Sequence, residues 1–207
     1  ETRILIVGGA NPSEETLSSS VLFDVVNNRF DQQGSMQQVR EGHTALLLDN
    51  GKVLVVGGNV WSPLSSTELY DPRLSLWESA ASTNVPRAGH TMTKLDDGRI
   101  LVIGGINAET STELYQPEEG TWGNGPSLIH GRGQHETVKL NDGRVLIIGG
   151  AGNSGSPINT TEIFNPVDNT IIEAAEMNVT HFRTSATLLE DGRVLVAGSL
   201  RSGNDAA

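Results

Sequence analysis

The chain has 207 residues and a formal charge of −11, from 14 lysines and arginines against 25 aspartates and glutamates. A surface of that sign repels polyphosphate, which argues against nucleic acid as a partner, and the absence of cysteine excludes disulfides and thiolate sites. No run of 18 apolar residues is present, so no membrane-spanning helix is expected. No basic segment leading into an apolar run is present either, so any signal peptide is expected to have been removed already.

The chain opens on RILIVGG at 3–9, a short apolar run closed by a glycine pair. The same block returns with a polar turn before it, as DNGKVLVVGG at 49–58, DDGRILVIGG at 96–105, NDGRVLIIGG at 141–150 and EDGRVLVAGS at 190–199. The first glycines, Gly8, Gly57, Gly104, Gly149 and Gly198, stand 49, 47, 45 and 49 residues apart. That period marks a repeat architecture. Four consecutive apolar residues before the glycines predict a strand, here B, buried on both faces.

Residues 89–125 give the full grammar. GHTMTKL at 89–95 is strand A, and Asp97-Gly98 is read as a two-residue hairpin turn. ILVIGG is strand B, the alternating STELYQP at 111–117 is strand C, and TWGNG at 121–125 is strand D. Strand C recurs as SVLFDVV at 20–26, SSTELYDP at 65–72 and TTEIFNP at 160–166, its proline ending the ladder in the last two. Strand D carries Trp77 and Trp122, with Phe30 and Ile172 at the matching places. The order is B-C-D, A-B-C-D three times, then A-B, or 17 strands. A four-stranded antiparallel unit whose inner strand is buried on both faces must stack on neighbours, so the expected fold is an all-β propeller of such blades. The blade segments are roughly 3–36, 42–80, 89–125, 134–176 and 185–199 of one domain spanning 1–207. About four and a half blades are expected, belonging to a larger propeller, with self-association or neighbouring chains at unpaired blade edges.

The pattern R-x-G-H-T, DGRVLVxGG, STELYDP, then a tryptophan, resembles the kelch repeat, in its bacterial and galactose-oxidase-like form. The resemblance covers residues 3–199 and implies the propeller fold, with an extracellular or periplasmic location as a further expectation. It implies no activity, because this fold carries enzymes, lectins and adaptors alike. The copper-radical oxidases of this fold need a cysteine, which the chain lacks.

Arg40, Arg87, Arg132 and Arg183 precede the four A strands. They are read either as a ring of guanidiniums for an acidic ligand or as ties between neighbouring blades, which recurrence in every repeat favours. His43, His90 and His135 follow three of them, and His181 precedes the fourth. Three imidazoles around an axis suit zinc or copper in principle, but each lies in a different blade, and neither a metal nor another cofactor is expected. Glu68, Glu113 and Glu162 recur in strand C, Arg99, Arg144 and Arg193, with Lys52, recur after the A–B turn, and charge pairing is expected between these acids and bases. The B–C loops vary in length and carry Asn59, Asn107 and Asn153 beside the glycines, either as turn residues or as rim contacts. Trp61 is the tryptophan outside the repeat frame, available to stack on a sugar or to fill a partner's pocket.

No nucleotide-binding, zincin or nucleophile-elbow motif is present, and no carboxylate pair stands apart from the repeat. The reading is a non-catalytic binding scaffold that recognises a protein segment or glycan on its loop rim. Two alternatives stay open: the propeller portion of a secreted enzyme whose catalytic groups lie outside this chain, and a structural component of an extracellular assembly.

Overall fold

The computed structural model describes residues 2–13, 15–152 and 154–198. Among them there is no helix, and 17 strands form five antiparallel sheets. Sheet 1 holds β1 (Arg3–Val7), β2 (Ser20–Asp24) and β3 (Arg29–Gln32). Sheet 2 holds β4 (Thr44–Leu47), β5 (Val53–Val56), β6 (Thr67–Asp71) and β7 (Leu76–Ala80). Sheet 3 holds β8 (Thr91–Lys94), β9 (Ile100–Ile103), β10 (Thr112–Gln116) and β11 (Thr121–Asn124). Sheet 4 holds β12 (Glu136–Lys139), β13 (Val145–Ile148), β14 (Thr161–Asn165) and β15 (Thr170–Glu173). Sheet 5 is the hairpin of β16 (Ser185–Leu188) and β17 (Val194–Ala197). These are the blades the repeat predicts, in the predicted order. Contacts divide the chain into two compact units, Glu1–Ala88 with sheets 1 and 2, and Gly89–Ala207 with sheets 3 to 5.

Strand B is buried where both its neighbours are present. Leu54, Val55 and Val56 of β5 and Ile100 to Val102 of β9 have no exposed surface. Among the described residues β1 pairs with β2 alone, and Ile4 and Ile6 stay about half exposed. A cavity of about 670 Å³, lined in part by Leu5, Leu22, Val53 and Tyr70, lies beside it. In the second unit, Leu95, Leu101, Ile103, Leu114 and Leu128 close over Val145, Ile147 and Phe164 to form an apolar cluster with Ile171 against it.

Two sequence expectations change in detail. The A–B turn is wider than a two-residue hairpin, because the Leu95 N–H bonds the Arg99 carbonyl across Asp96, Asp97 and Gly98, and only the glycine takes positive φ. Asp97 instead caps the turn by accepting from the Arg99 backbone and guanidinium. The residue facing the strand-C aromatic in sheet 4 is Ile171, not Ile172, since Phe164 stands opposite Ile171. The tryptophans themselves are only half buried. The core aromatics are Tyr70, Tyr115 and Phe164, and Trp77 and Trp122 lie over the two tyrosines with ring centroids 5.0 and 4.9 Å apart.

Both glycines of each pair take positive φ, which releases strand B into its loop. Gly9 and Gly150 separate backbone strain from crowding. Their φ angles are alike, 90° and 98°, but a Cβ at Gly9 meets nothing within 4 Å while one at Gly150 falls 2.7 Å from the Gly133 carbonyl oxygen and from His135 Cβ. Gly9→Ala is expected to cost about 1 kcal/mol from φ alone, and Gly150→Ala about 2 kcal/mol or more, since crowding adds to it. Equal losses in urea unfolding would show that the close approach at Gly150 carries no weight.

Candidate functional site

The connection between one blade's D strand and the next blade's A strand lies outside any ladder, so its backbone groups need other partners. Strand C supplies them. Glu68 on β6 accepts from the N–H groups of Gln37 and Gln38 at 2.6 and 3.2 Å, and Glu162 on β14 accepts from Ile129 and His130 at 2.8 and 3.1 Å. Both carboxylates are buried and each meets an arginine, Arg40 Nη2 at 2.7 Å from Glu68 and Arg132 Nη2 at 2.6 Å from Glu162. The other arm of each guanidinium donates to the carbonyl of the first glycine of the pair, Gly57 at 2.5 Å and Gly149 at 2.8 Å, and to the residue before strand C, Ser66 or Thr160. One guanidinium thus joins the connection, the end of strand B and the start of strand C. Burial pulls the Arg132 guanidinium below its ordinary pKa, and the Glu162 carboxylate opposes that shift.

Arg40, Arg87 and Arg132 therefore do not reach a rim. Each is fully buried, and Arg40 and Arg132 already hold a carboxylate, so an external acidic ligand finds no accessible ring of guanidiniums. Arg183 does not belong to the series. Arg40, Arg87 and Arg132 offer their carbonyls to the N–H of the second glycine of a pair, and in the fourth connection that carbonyl belongs to His181, bonded by Gly150 N–H at 2.8 Å. The His181 ring takes over the side-chain role too, with Nδ1 3.0 Å from the Gly198 carbonyl. Arg183 instead occupies the left-handed turn position with φ 51°, where Gly42, Gly89 and Gln134 stand in the other connections. It is exposed, lies 5.2 Å over the Phe182 ring and bonds Gln134 Oε1 at 3.1 Å. The signal was present in the sequence: Arg40, Arg132 and His181 all lie 17 residues before the first glycine of the following strand B.

The histidines are core groups. His90 and His135 are buried and His43 is half-buried, and His135 Nε2 lies 2.9 Å from Thr91 Oγ1. Burial, with the Arg132 charge adding to it, pushes the His135 pKa down to about 3, and burial with Arg40 lowers His43 as well. Among the described residues no three histidines, aspartates or glutamates gather at metal-ligand distance.

The loop candidates separate. Asn107 takes φ 69° in an exposed turn, the left-handed role that asparagine tolerates. Asn59 exchanges backbone bonds with Glu41, at 2.8 and 3.1 Å, and so anchors its loop rather than projecting from it. Asn153 lies outside the described residues. Trp61 is 97% exposed, the least covered large apolar side chain of the described residues. Its loop is held at both ends, by the Asn59–Glu41 pair and by bonds from Leu64 N–H to Gly58 and from Arg87 N–H to Leu64.

Residues 43–84, which span sheet 2, match the Kelch motif family. This segment is a kelch repeat. No curated protein matches the chain. The matched kelch repeat contains strands A to D with Glu68, and sheets 3 and 4 repeat its plan with Glu113 and Glu162 in the same strand-C place. Kelch repeats are commonly non-catalytic protein-binding scaffolds.

The buried neutral histidines give a pH dependence with a fixed sign. A folded pKa below the unfolded value of 6.5 means that the unfolded chain binds the proton first, so stability is full above pH 6.5 and falls as pH drops toward 3. Between pH 7 and pH 5 the melting temperature of the parent should fall, and that of His135→Gln should fall less. An identical slope in both proteins would contradict the buried neutral assignment of His135.

Proposed function

We propose that the chain is a non-catalytic scaffold that captures a segment of another protein on the loop carrying Trp61. The observation behind this reading is an indole 97% exposed on a loop whose two ends are fixed by backbone hydrogen bonds. A large aromatic presented without ordering cost is the kind of group that dominates binding energy at protein interfaces. The loop's anchoring through Asn59, Glu41 and Leu64 supports preorganisation, which lowers the cost of binding. The common use of kelch repeats as protein-binding scaffolds favours a protein segment over a glycan, and the −11 charge disfavours polyanions.

Peptides selected from a random displayed library on the folded chain provide a direct test. Trp61→Ala should weaken the selected peptides about tenfold or more, corresponding to the roughly 2 kcal/mol of an aromatic hot spot. Its melting temperature should stay within about 1 °C of the parent, because an exposed side chain leaves no cavity. Unchanged affinity in Trp61→Ala would remove this loop as the binding face.

A further inference from the structure

Trp61 stands at the tip of a narrow hairpin. Asn59 bridges Pro63 across it, and the Leu64 N–H closes it on the Gly58 carbonyl at 2.8 Å. On its other side Asn59 exchanges two backbone bonds with Glu41, at 2.8 and 3.1 Å. A pair bonded in that way holds its Cα atoms about 5.5 Å apart, with both side chains on one face. Trp61 lies two residues beyond Asn59, at most about 7 Å further along the chain. The Glu41 carboxylate and the indole therefore belong to one small patch.

The same connection also reaches the neighbouring loop. Arg40, one residue before Glu41, donates its N–H to the Leu17 carbonyl at 3.0 Å and accepts from the Gly9 N–H at 2.9 Å. Glu41 thus sits between the loop of Trp61 and the loop that carries Glu15. Glu15 is exposed, and Asn11 holds it in place: Asn11 Nδ2 donates to its carboxylate at 2.8 Å, and Asn11 Oδ1 accepts from its N–H at 3.0 Å.

Charge is divided between the two ends of these sheets. Glu1–Ala88 contains six lysines and arginines. Arg40 and Arg87 are fully buried. The other four lie at the end where strand B begins, away from the glycine pairs. Arg3 and Arg29 both stand opposite Asp24, Lys52 directly precedes β5, and Arg73 Nη2 bonds the Asn50 carbonyl in the A–B turn at 2.7 Å. The rim after strand B therefore carries Glu15, Glu41 and an exposed indole, with no accessible lysine or arginine among the described residues of this unit. Given the Trp61 loop as the capture face, we propose that the captured segment is basic. It seats an arginine whose guanidinium stacks on the indole and bonds the Glu41 carboxylate. Tryptophan is the aromatic ring that attracts a cation most strongly, and arginine is its commonest partner. A carboxylate beside the ring takes two of the guanidinium N–H groups in one plane. Glu15 extends the attraction to a second basic residue of the segment.

Short peptides selected from a random displayed library on the 207-residue chain carry the test. They should be rich in arginine. Replacing that arginine by citrulline, its neutral isostere, should weaken binding about tenfold or more, since the stacked cation and the ion pair are lost together. Lysine in its place should restore only part of the affinity, because an ammonium lacks the planar fork. In the chain, Glu41→Gln should weaken the arginine peptide about threefold to fivefold, the effect of an ion pair at a rim. The same variant should leave the citrulline peptide and the melting temperature unchanged. Raising NaCl to about 0.5 M should narrow the gap between the arginine and citrulline peptides. Peptides that depend on Trp61 but carry no cation, or that bind the parent and Glu41→Gln equally, would overturn the basic assignment and leave the capture reading standing. Selected peptides rich in aspartate or glutamate would overturn it as well. Arginine peptides that bind Trp61→Ala as tightly as the parent would overturn both.

Discussion

The buried guanidinium–carboxylate pair is the constraint on which sheets 2 and 4 depend. Removing an arginine and a glutamate from water is costly, and attraction between them repays that cost only when the remaining donors and acceptors are also bonded. Around Arg132 and Glu162 those demands are met: two connection N–H groups fall on the carboxylate, and the carbonyls of Gly149 and Thr160 fall on the guanidinium. The pair therefore acts as a fastener for backbone that no ladder reaches. It sets where strand B ends, because the bonded carbonyl belongs to the glycine whose positive φ turns the chain out of the sheet.

The histidines and glycines follow from this arrangement. His135 fills the space under Gly150, where any side chain on the glycine would collide with it, and it stays neutral beside the Arg132 charge. The aromatic two residues past the glutamate points into the same interior face, so the carboxylate and the ring enter the structure together. In sheet 4 this face is a packed cluster around Phe164.

Much of the fold was legible because its determinants are local and repeated. Four apolar residues before a glycine pair, a proline after strand C and an Asp-Gly before strand B each act within a few residues, and they placed all 17 strands. The site was less legible, because burial depends on neighbours distant in sequence. Arg40 and Arg132 look like surface cations until Glu68 and Glu162, 28 and 30 residues on, are brought against them. Arg183 was misplaced because residue type outweighed spacing; counting 17 residues back from Gly198 leads to His181. The exposure of Trp61 is suggested by its falling outside the repeat frame.

The most direct measurement is a double-mutant cycle on Arg132 and Glu162 by denaturant unfolding. If the pair is the fastener of its blade, Arg132→Ala and Glu162→Ala should each cost roughly 3–5 kcal/mol, because each leaves a buried charge without its partner. The double variant should then cost far less than the sum, with a coupling of about 2 kcal/mol or more. Small single losses that simply add in the double variant would contradict the account.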